Sequence, residues 1–283
     1  MLWQTGHYLI GLGRLDYILD DIIKSDKRDD ETISKILSDF IKIMHEYYWY
    51  KSSALMGDTG QIIILGGLTP SGEYFENRLT YLFIQCLKLC NLPDPKILLR
   101  VSKKTPRDLI DLAVECIGTG IGSPLFANDD IIIPQLIDFG YDTDDAYNYV
   151  TSACWEPIPG NSFEQNNIAH INFVEPFDLI SKKEIMSEIT SYEQYFGLYK
   201  KYLKVHTDSV CSSLNNIVWE FDPLVSAFLK TCRSSRTDVS IGGGKYNNYG
   251  VLTNGLSNAV NSLLTLKKIV FDQKKYSLMD FDL

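Results

Sequence analysis

Two unbroken apolar runs constrain the fold of this chain more than any other feature. Gln61-Ile62-Ile63-Ile64-Leu65 ends in Gly66-Gly67, and Lys96-Ile97-Leu98-Leu99-Arg100-Val101 forms the second run. A strand with no polar face must be covered on both sides, which a half-wet antiparallel sheet does not do. Each run is followed by a helical pattern, at 73–90 and at 106–117, with Pro106 at a favoured helix start. Strand–helix–strand–helix order predicts an α/β fold with parallel strands.

The remaining pattern is helix-rich. Leu15, Ile18, Leu19, Ile22 and Ile23 recur at helical spacing and predict a helix over about 13–24. A second helix runs from Asp30 through Ile33, Leu37, Ile41 and Met44 to Tyr48. Residues 118–129 read as a loop, 130–139 and 143–150 as helices, and 168–179 as extended. From 183 to 234 the pattern is largely helical, broken at Asp222-Pro223. Residues 242–250 read as a loop and 254–270 as a final helix. No repeat or flexible linker divides the chain. The expectation is a single domain over 1–283, divisible into lobes at 1–150 and 151–283.

Composition removes several function classes. A hydrophobic fraction of 45% over 283 residues supports a sizeable core. The net charge of -9 does not favour nucleic acid or an anionic membrane. No apolar run reaches the roughly 18 residues of a membrane helix, and polar residues interrupt the first nineteen, so a cytoplasmic protein is expected. The six cysteines have no disulfide-type spacing. Cys86 and Cys90 lie one helical turn apart and read as core thiols. The four histidines show no metal spacing. Gly242-Gly243-Gly244-Lys245 lacks the spacing of a phosphate loop. No bound metal or organic cofactor is expected.

The chemistry-bearing segment is Ala153-Cys154-Trp155-Glu156-Pro157. A proline disfavours helix at the residue before it, so Glu156 is expected to be extended. In an extended chain residues i and i+2 point the same way, roughly 6.5 Å apart, with the residue between them on the other side. Cys154 and Glu156 would then address neighbouring atoms of one small molecule. The competing readings are a core thiol and a solvated loop carboxylate. Asn128 and Asp129 fit a helix N-cap as well as a pocket wall. His170 lies in an apolar extended run, where a core histidine competes with a substrate contact.

Four motifs, taken together, resemble the glycyl radical enzymes, the pyruvate formate-lyase-like superfamily. They are Ile64-Leu65-Gly66-Gly67, Arg100 to Pro106, the Phe126/Asn128/Asp129 loop and the cysteine loop. Gly243-Gly244-Lys245-Tyr246-Asn247 is similar to a further family loop. The resemblance implies part of a ten-stranded α/β barrel. It implies that Cys154 carries a thiyl radical and that Glu156 moves a proton. It implies pocket roles for Phe126, Asn128, Asp129 and His170. Ala153 stands where pyruvate formate-lyase has a second cysteine, so the Cys-x-Glu pattern resembles the dehydratase, amine-lyase and decarboxylase members. The implied reaction is elimination from a small substrate, by C–O, C–N or C–S cleavage, or decarboxylation.

The family's radical glycine lies in an Arg-Val-x-Gly-Tyr-like string, which is not found in these 283 residues. The expectation is therefore a glycyl radical supplied by a separate chain, generated by a radical-SAM activating enzyme. Uncovered strand edges would make the protein an oligomer or a complex. The alternatives are a fragment or degenerate relative of such an enzyme, or a non-catalytic binding or scaffold protein derived from the same fold.

Overall fold

The computed structural model describes residues 11–49, 62–151 and 155–281. They fall into two compact units, 1–160 and 161–283.

The first unit is built on a four-stranded parallel sheet in the order β1 (Gly13–Arg14), β2 (Ile62–Gly66), β3 (Lys96–Val101), β4 (Leu125–Asn128). The register pairs Ile64 with Arg14 and with Leu98, and Leu98 with Leu125. All five residues of β2 are buried, as are the four central residues of β3. Alternate side chains go to opposite faces. Ile63, Leu65, Ile97 and Leu99 meet α3 (Asp30–Trp49), α4 (Arg78–Cys90) and α5 (Arg107–Cys116). On the other face, Ile62, Ile64, Leu98 and Ala127 meet α6 (Asp129–Asp138), α7 (Thr143–Tyr147) and Tyr149. Both faces are thus covered, as the unbroken apolar runs require.

Local signals set the helix ends. Asn77 caps α4 by accepting from the Leu79 and Thr80 N–H groups, and the Thr80 hydroxyl accepts in return from the Asn77 N–H. Asn91, with φ 49°, ends the same helix. The predicted 13–24 helix is instead β1 followed by α1 (Leu15–Ile18) and α2 (Asp20–Ser25). Pairing with β2 draws Gly13 and Arg14 out of the helical pattern. The expected loop at 118–129 contains β4, which has no apolar alternation of its own and is held by pairing with β3. The helix expected at 143–150 ends at Tyr147, and Val150–Thr151 forms β5, antiparallel to β6 (Pro157–Ile158).

The second unit pairs β7 (Ser162–Asn172) in parallel with β8 (Tyr246–Asn254). Between them in sequence lie α8 (Glu175–Ile180), α9 (Lys183–Met186), α10 (Tyr192–Leu214), α11 (Pro223–Phe228) and α12 (Lys230–Ser235), and α13 (Leu256–Leu266) follows. Its core contains Phe177, Ile180, Met186, Tyr195, Tyr199, Ala259 and Leu263. The Tyr199 hydroxyl donates to the Phe173 carbonyl at 2.9 Å, tying α10 to the end of β7. Asp222 caps α11 and Pro223 opens it, at the predicted break. The expected loop at 242–250 is strand from Tyr246 onward, because β7 supplies a ladder that Tyr-Asn-Asn-Tyr-Gly does not advertise.

Gly243 has a steric role in this unit. A Cβ there would run into the Thr237 carbonyl oxygen, and would lie 2.8 Å from both the Asp238 carbonyl oxygen and the Cys232 sulfur. Two of these three neighbours are backbone and cannot swing aside. Gly243→Ala is expected to destabilise the 222–254 region by about 2–3 kcal/mol. Faster amide hydrogen exchange confined to that region would report it, and unchanged exchange would refute it.

Candidate functional site

The carboxyl ends of the four parallel strands bring Arg14, Gly66, Gly67, Arg100 and Asn128 to one edge of the sheet. Ligand crevices in open parallel sheets form at this edge. A buried polar network fills it. Arg100 and Asp129 are both fully buried and form an ion pair, with the Arg100 Nη2 donating to Asp129 Oδ2 at 2.8 Å and Nε to Oδ1 at 2.9 Å. The Tyr149 hydroxyl donates to Asp129 Oδ1 at 2.7 Å, and the Leu68 N–H to Oδ2 at 2.7 Å. Arg100 Nη1 donates to the Tyr147 carbonyl at 2.9 Å, and the guanidinium lies 4.0 Å from the Tyr149 ring centre. Burial pushes the Tyr149 hydroxyl well above the usual tyrosine range.

The two glycines that end β2 make this network possible. Gly66 and Gly67 have φ 66° and 107°, a region that disfavours side chains. A Cβ on Gly67 would lie 2.7 Å from Arg100 Nε. The Gly66 N–H and the Thr80 hydroxyl each donate to Asp16 Oδ2 at 2.7 Å. Burial raises the Asp16 carboxyl above its ordinary value. Arg14 lies 4.8 Å from the Tyr17 ring centre, and burial, with Arg100 adding to it, pushes its guanidinium down to about 10. Sequence reasoning missed Arg14, Asp16 and Thr80, and the available signal was an Arg and an Asp amid apolar residues at 12–19.

The antiparallel pair β5–β6 brackets residues 152–156. Cys154 lies outside the described residues, with Ser152 and Ala153. Trp155 has φ 70°, and Glu156 is half-buried. The left-handed turn at Trp155 breaks the extended alternation, so the i, i+2 rule does not set the relative direction of Cys154 and Glu156. The expectation of an extended backbone is corrected at Trp155.

Phe126 and Asn128 share one pocket with Thr151, Trp155 and Pro157, the residues that flank the cysteine loop. The pocket has a volume of about 230 Å³. Phe126 is 43% exposed. The Asn128 side chain also caps α6, accepting from the Asp130 N–H at 3.0 Å. Asp129 does not face this pocket and is committed to Arg100. Thr151, which sequence reasoning did not single out, is 2% exposed, and its hydroxyl oxygen is buried without a hydrogen-bond partner. His170, on β7 in the second unit, is exposed rather than a core histidine, with Nδ1 3.3 Å from Asn254 Nδ2. Strand β7 is only half covered, so position 170 turns outward.

Among the described residues, no group of three or more His, Cys, Asp or Glu side chains could hold a metal ion. No helix among them is long and apolar enough to cross a membrane.

Comparison with known proteins fits this geometry. The family model described as pyruvate formate lyase-like matches residues 4–282. The chain is 26% identical to (2S)-3-sulfopropanediol dehydratase of Klebsiella oxytoca, over 97% of its own length and 37% of that enzyme's. It is 28% identical to trans-4-hydroxy-L-proline dehydratase of Clostridioides difficile, over 75% of its own length and 29% of that enzyme's. A glycyl radical enzyme of Archaeoglobus fulgidus superposes with a TM-score of 0.79 at 25% identity, over 96% of this chain and 38% of the other. The chain thus spans 29–38% of the length of these relatives. With the family model matching nearly the whole chain, the chain belongs to the pyruvate formate lyase-like family of glycyl radical enzymes.

Proposed function

We propose that this chain carries the cysteine-loop portion of a glycyl radical lyase that acts on a small molecule. The observation that supports the reading is a pocket lined by Phe126 and Asn128 together with Thr151, Trp155 and Pro157, residues that flank Cys154 in sequence. The relatives named as dehydratases support elimination as the reaction class. A glycyl radical, formed by a radical-SAM activating enzyme, supplies the oxidising equivalent. Sulfur suits Cys154 for its task, because an S–H bond is weak enough to be broken by such a radical and strong enough to drive abstraction from an activated C–H.

In the elimination, a hydrogen atom passes from a substrate carbon to the Cys154 sulfur. Glu156 takes the proton from a hydroxyl on that carbon. The neighbouring hydroxyl leaves as water, taking up the proton that Glu156 has just accepted. The product radical then regains the hydrogen atom from Cys154, which returns to its starting state. Loss of an amine or a sulfonate, or decarboxylation, would use the same two residues. The half-buried setting of Glu156 suits a group that exchanges protons with a bound molecule.

The radical glycine in this reading comes from outside these 283 residues. Strand pairing supports a protein partner. Among the described residues β7 and β8 pair only with each other, and a two-stranded ladder is marginal alone. An open edge of that kind invites a further strand. Anaerobic co-purification followed by electron paramagnetic resonance tests the proposal. The expected result is a partner chain bearing a glycyl radical motif and a radical signal after activation. A stable monomer without activity, or a complex that never yields the signal, would favour a binding or scaffold role instead.

A further inference from the structure

We propose that a pocket in the 161–283 unit, lined by α8, α10 and α13, is a second small-molecule site, which takes a neutral or cationic aromatic molecule and recognises a hydroxyl on it through Tyr195. The pocket shares no residue with the one at the cysteine loop, and its occupancy is independent of the radical chemistry. Its volume is about 450 Å³, within the range of ligand clefts. Phe177, Met186 and Tyr195 are buried and supply apolar walls. Asn258, Asn261, Ser262 and Thr265 supply a polar one, since their i, i+3, i+4, i+7 spacing puts two amides and two hydroxyls on one face of α13. Asp178 is the one charged side chain among the described lining residues. The two residues that follow Phe281, Asp282 and Leu283, bring no basic group. An anionic molecule would thus meet a like charge, whereas an ammonium group finds a carboxylate.

Tyr195 is the second, independent observation. It is 4% exposed, and its ring packs 6.4 Å from both Phe177 and Phe271. Its hydroxyl has no hydrogen-bond partner among the described residues, yet its oxygen, unlike that of Thr151, is not sealed from solvent. The little surface this side chain keeps therefore includes a polar atom, in a residue that lines the pocket. Burial lifts the hydroxyl to about 12, so it stays protonated and can donate. A buried tyrosine hydroxyl usually finds a partner. A ligand hydroxyl is a suitable one, because it both accepts and donates. Size sets the rest. An apolar cavity of about 150 Å³ holds benzene, so about 450 Å³ suits a fused two-ring system with a short side chain.

The experiment titrates the purified chain with three indoles, followed by ligand-observed NMR and calorimetry. Serotonin carries a ring hydroxyl and an ammonium group, tryptamine lacks the hydroxyl, and 5-hydroxyindole-3-acetate carries a carboxylate in place of the amine. Serotonin is expected to bind saturably, about three- to tenfold tighter than tryptamine, the usual net worth of one hydrogen bond, and tighter than the acetate. Tyr195→Phe keeps the ring and removes a hydroxyl that no described residue engages. It is expected to leave the thermal midpoint unchanged, to bring serotonin down to the affinity of tryptamine, and to leave tryptamine as it was. Asp178→Asn should narrow the gap between serotonin and the acetate. Ser262→Trp, at an exposed position on α13, should obstruct all three and tests the pocket without touching Tyr195. The proposal is overturned if serotonin shows no saturable binding, or if the acetate binds as tightly. It is equally overturned if Tyr195→Phe loses stability or keeps the parent's affinity for serotonin, or if Ser262→Trp leaves binding intact.

Discussion

Asp129→Ala is expected to destabilise the 1–160 unit by about 3–5 kcal/mol, because removing one partner strands a charge in the interior. The Arg100 guanidinium would keep its carbonyl contacts to Tyr147 and Tyr149 but lose both carboxylate oxygens, with no water to replace them. The Tyr149 hydroxyl and the Leu68 N–H would lose their acceptor in the same step. Replacing Arg100 and Asp129 together, by Met and Leu, is expected to recover much of the loss, since an apolar pair of similar volume carries no desolvation cost. Urea unfolding of the two variants checks both statements. A loss below about 1 kcal/mol for Asp129→Ala would mean that the pair is hydrated, as surface ion pairs are. The double variant separates a burial effect from a role in binding, because it restores the fold without restoring the polar groups.

The second large effect concerns the proposed chemistry. In the reconstituted, activated complex, Cys154→Ala is expected to abolish turnover while leaving the glycyl radical signal intact, because the radical would form without a thiol to relay it. Glu156→Gln is expected to keep the radical and the hydrogen-atom exchange but to lower turnover by about 10²–10⁴-fold, the usual worth of a positioned acid–base group. Exchange of substrate hydrogen with solvent deuterium through the thiol separates the two variants, since it needs sulfur and not the carboxylate. Turnover that survives Cys154→Ala would end the assignment.

The parallel core was legible from sequence because Ile62–Leu65 and Ile97–Leu99 have no polar face to expose. The helix caps and the Asp222-Pro223 break were legible because capping is local chemistry. Strands β4 and β8 were not, since Leu125–Asn128 and Tyr246–Asn254 become strands only when a neighbour offers its ladder. Arg14 was hidden for a similar reason: helical periodicity at 15–23 ran straight across the start of a strand. At the site, Phe126 and Asn128 line one pocket with the flanks of the cysteine loop. Asp129 adjoins Asn128 but turns its side chain to Arg100 and lines a different pocket, with Leu68 and Ile133. Trp155 defeated the alternation argument, since a left-handed tryptophan is a choice the surrounding fold makes and the local sequence does not announce.

The parallel pairing of β7 with β8 also bears on how the chain reaches its folded state. The ladder spans the whole of residues 173–245, so β7 has no strand partner until the last helix but one has been made. The first unit closes its sheet from much nearer neighbours. During synthesis it can be complete while β7 still waits, and contacts of long sequence separation are the slow ones. A chaperone captured on nascent chains that stop before residue 246, and released from chains that pass 254, is the behaviour this topology implies.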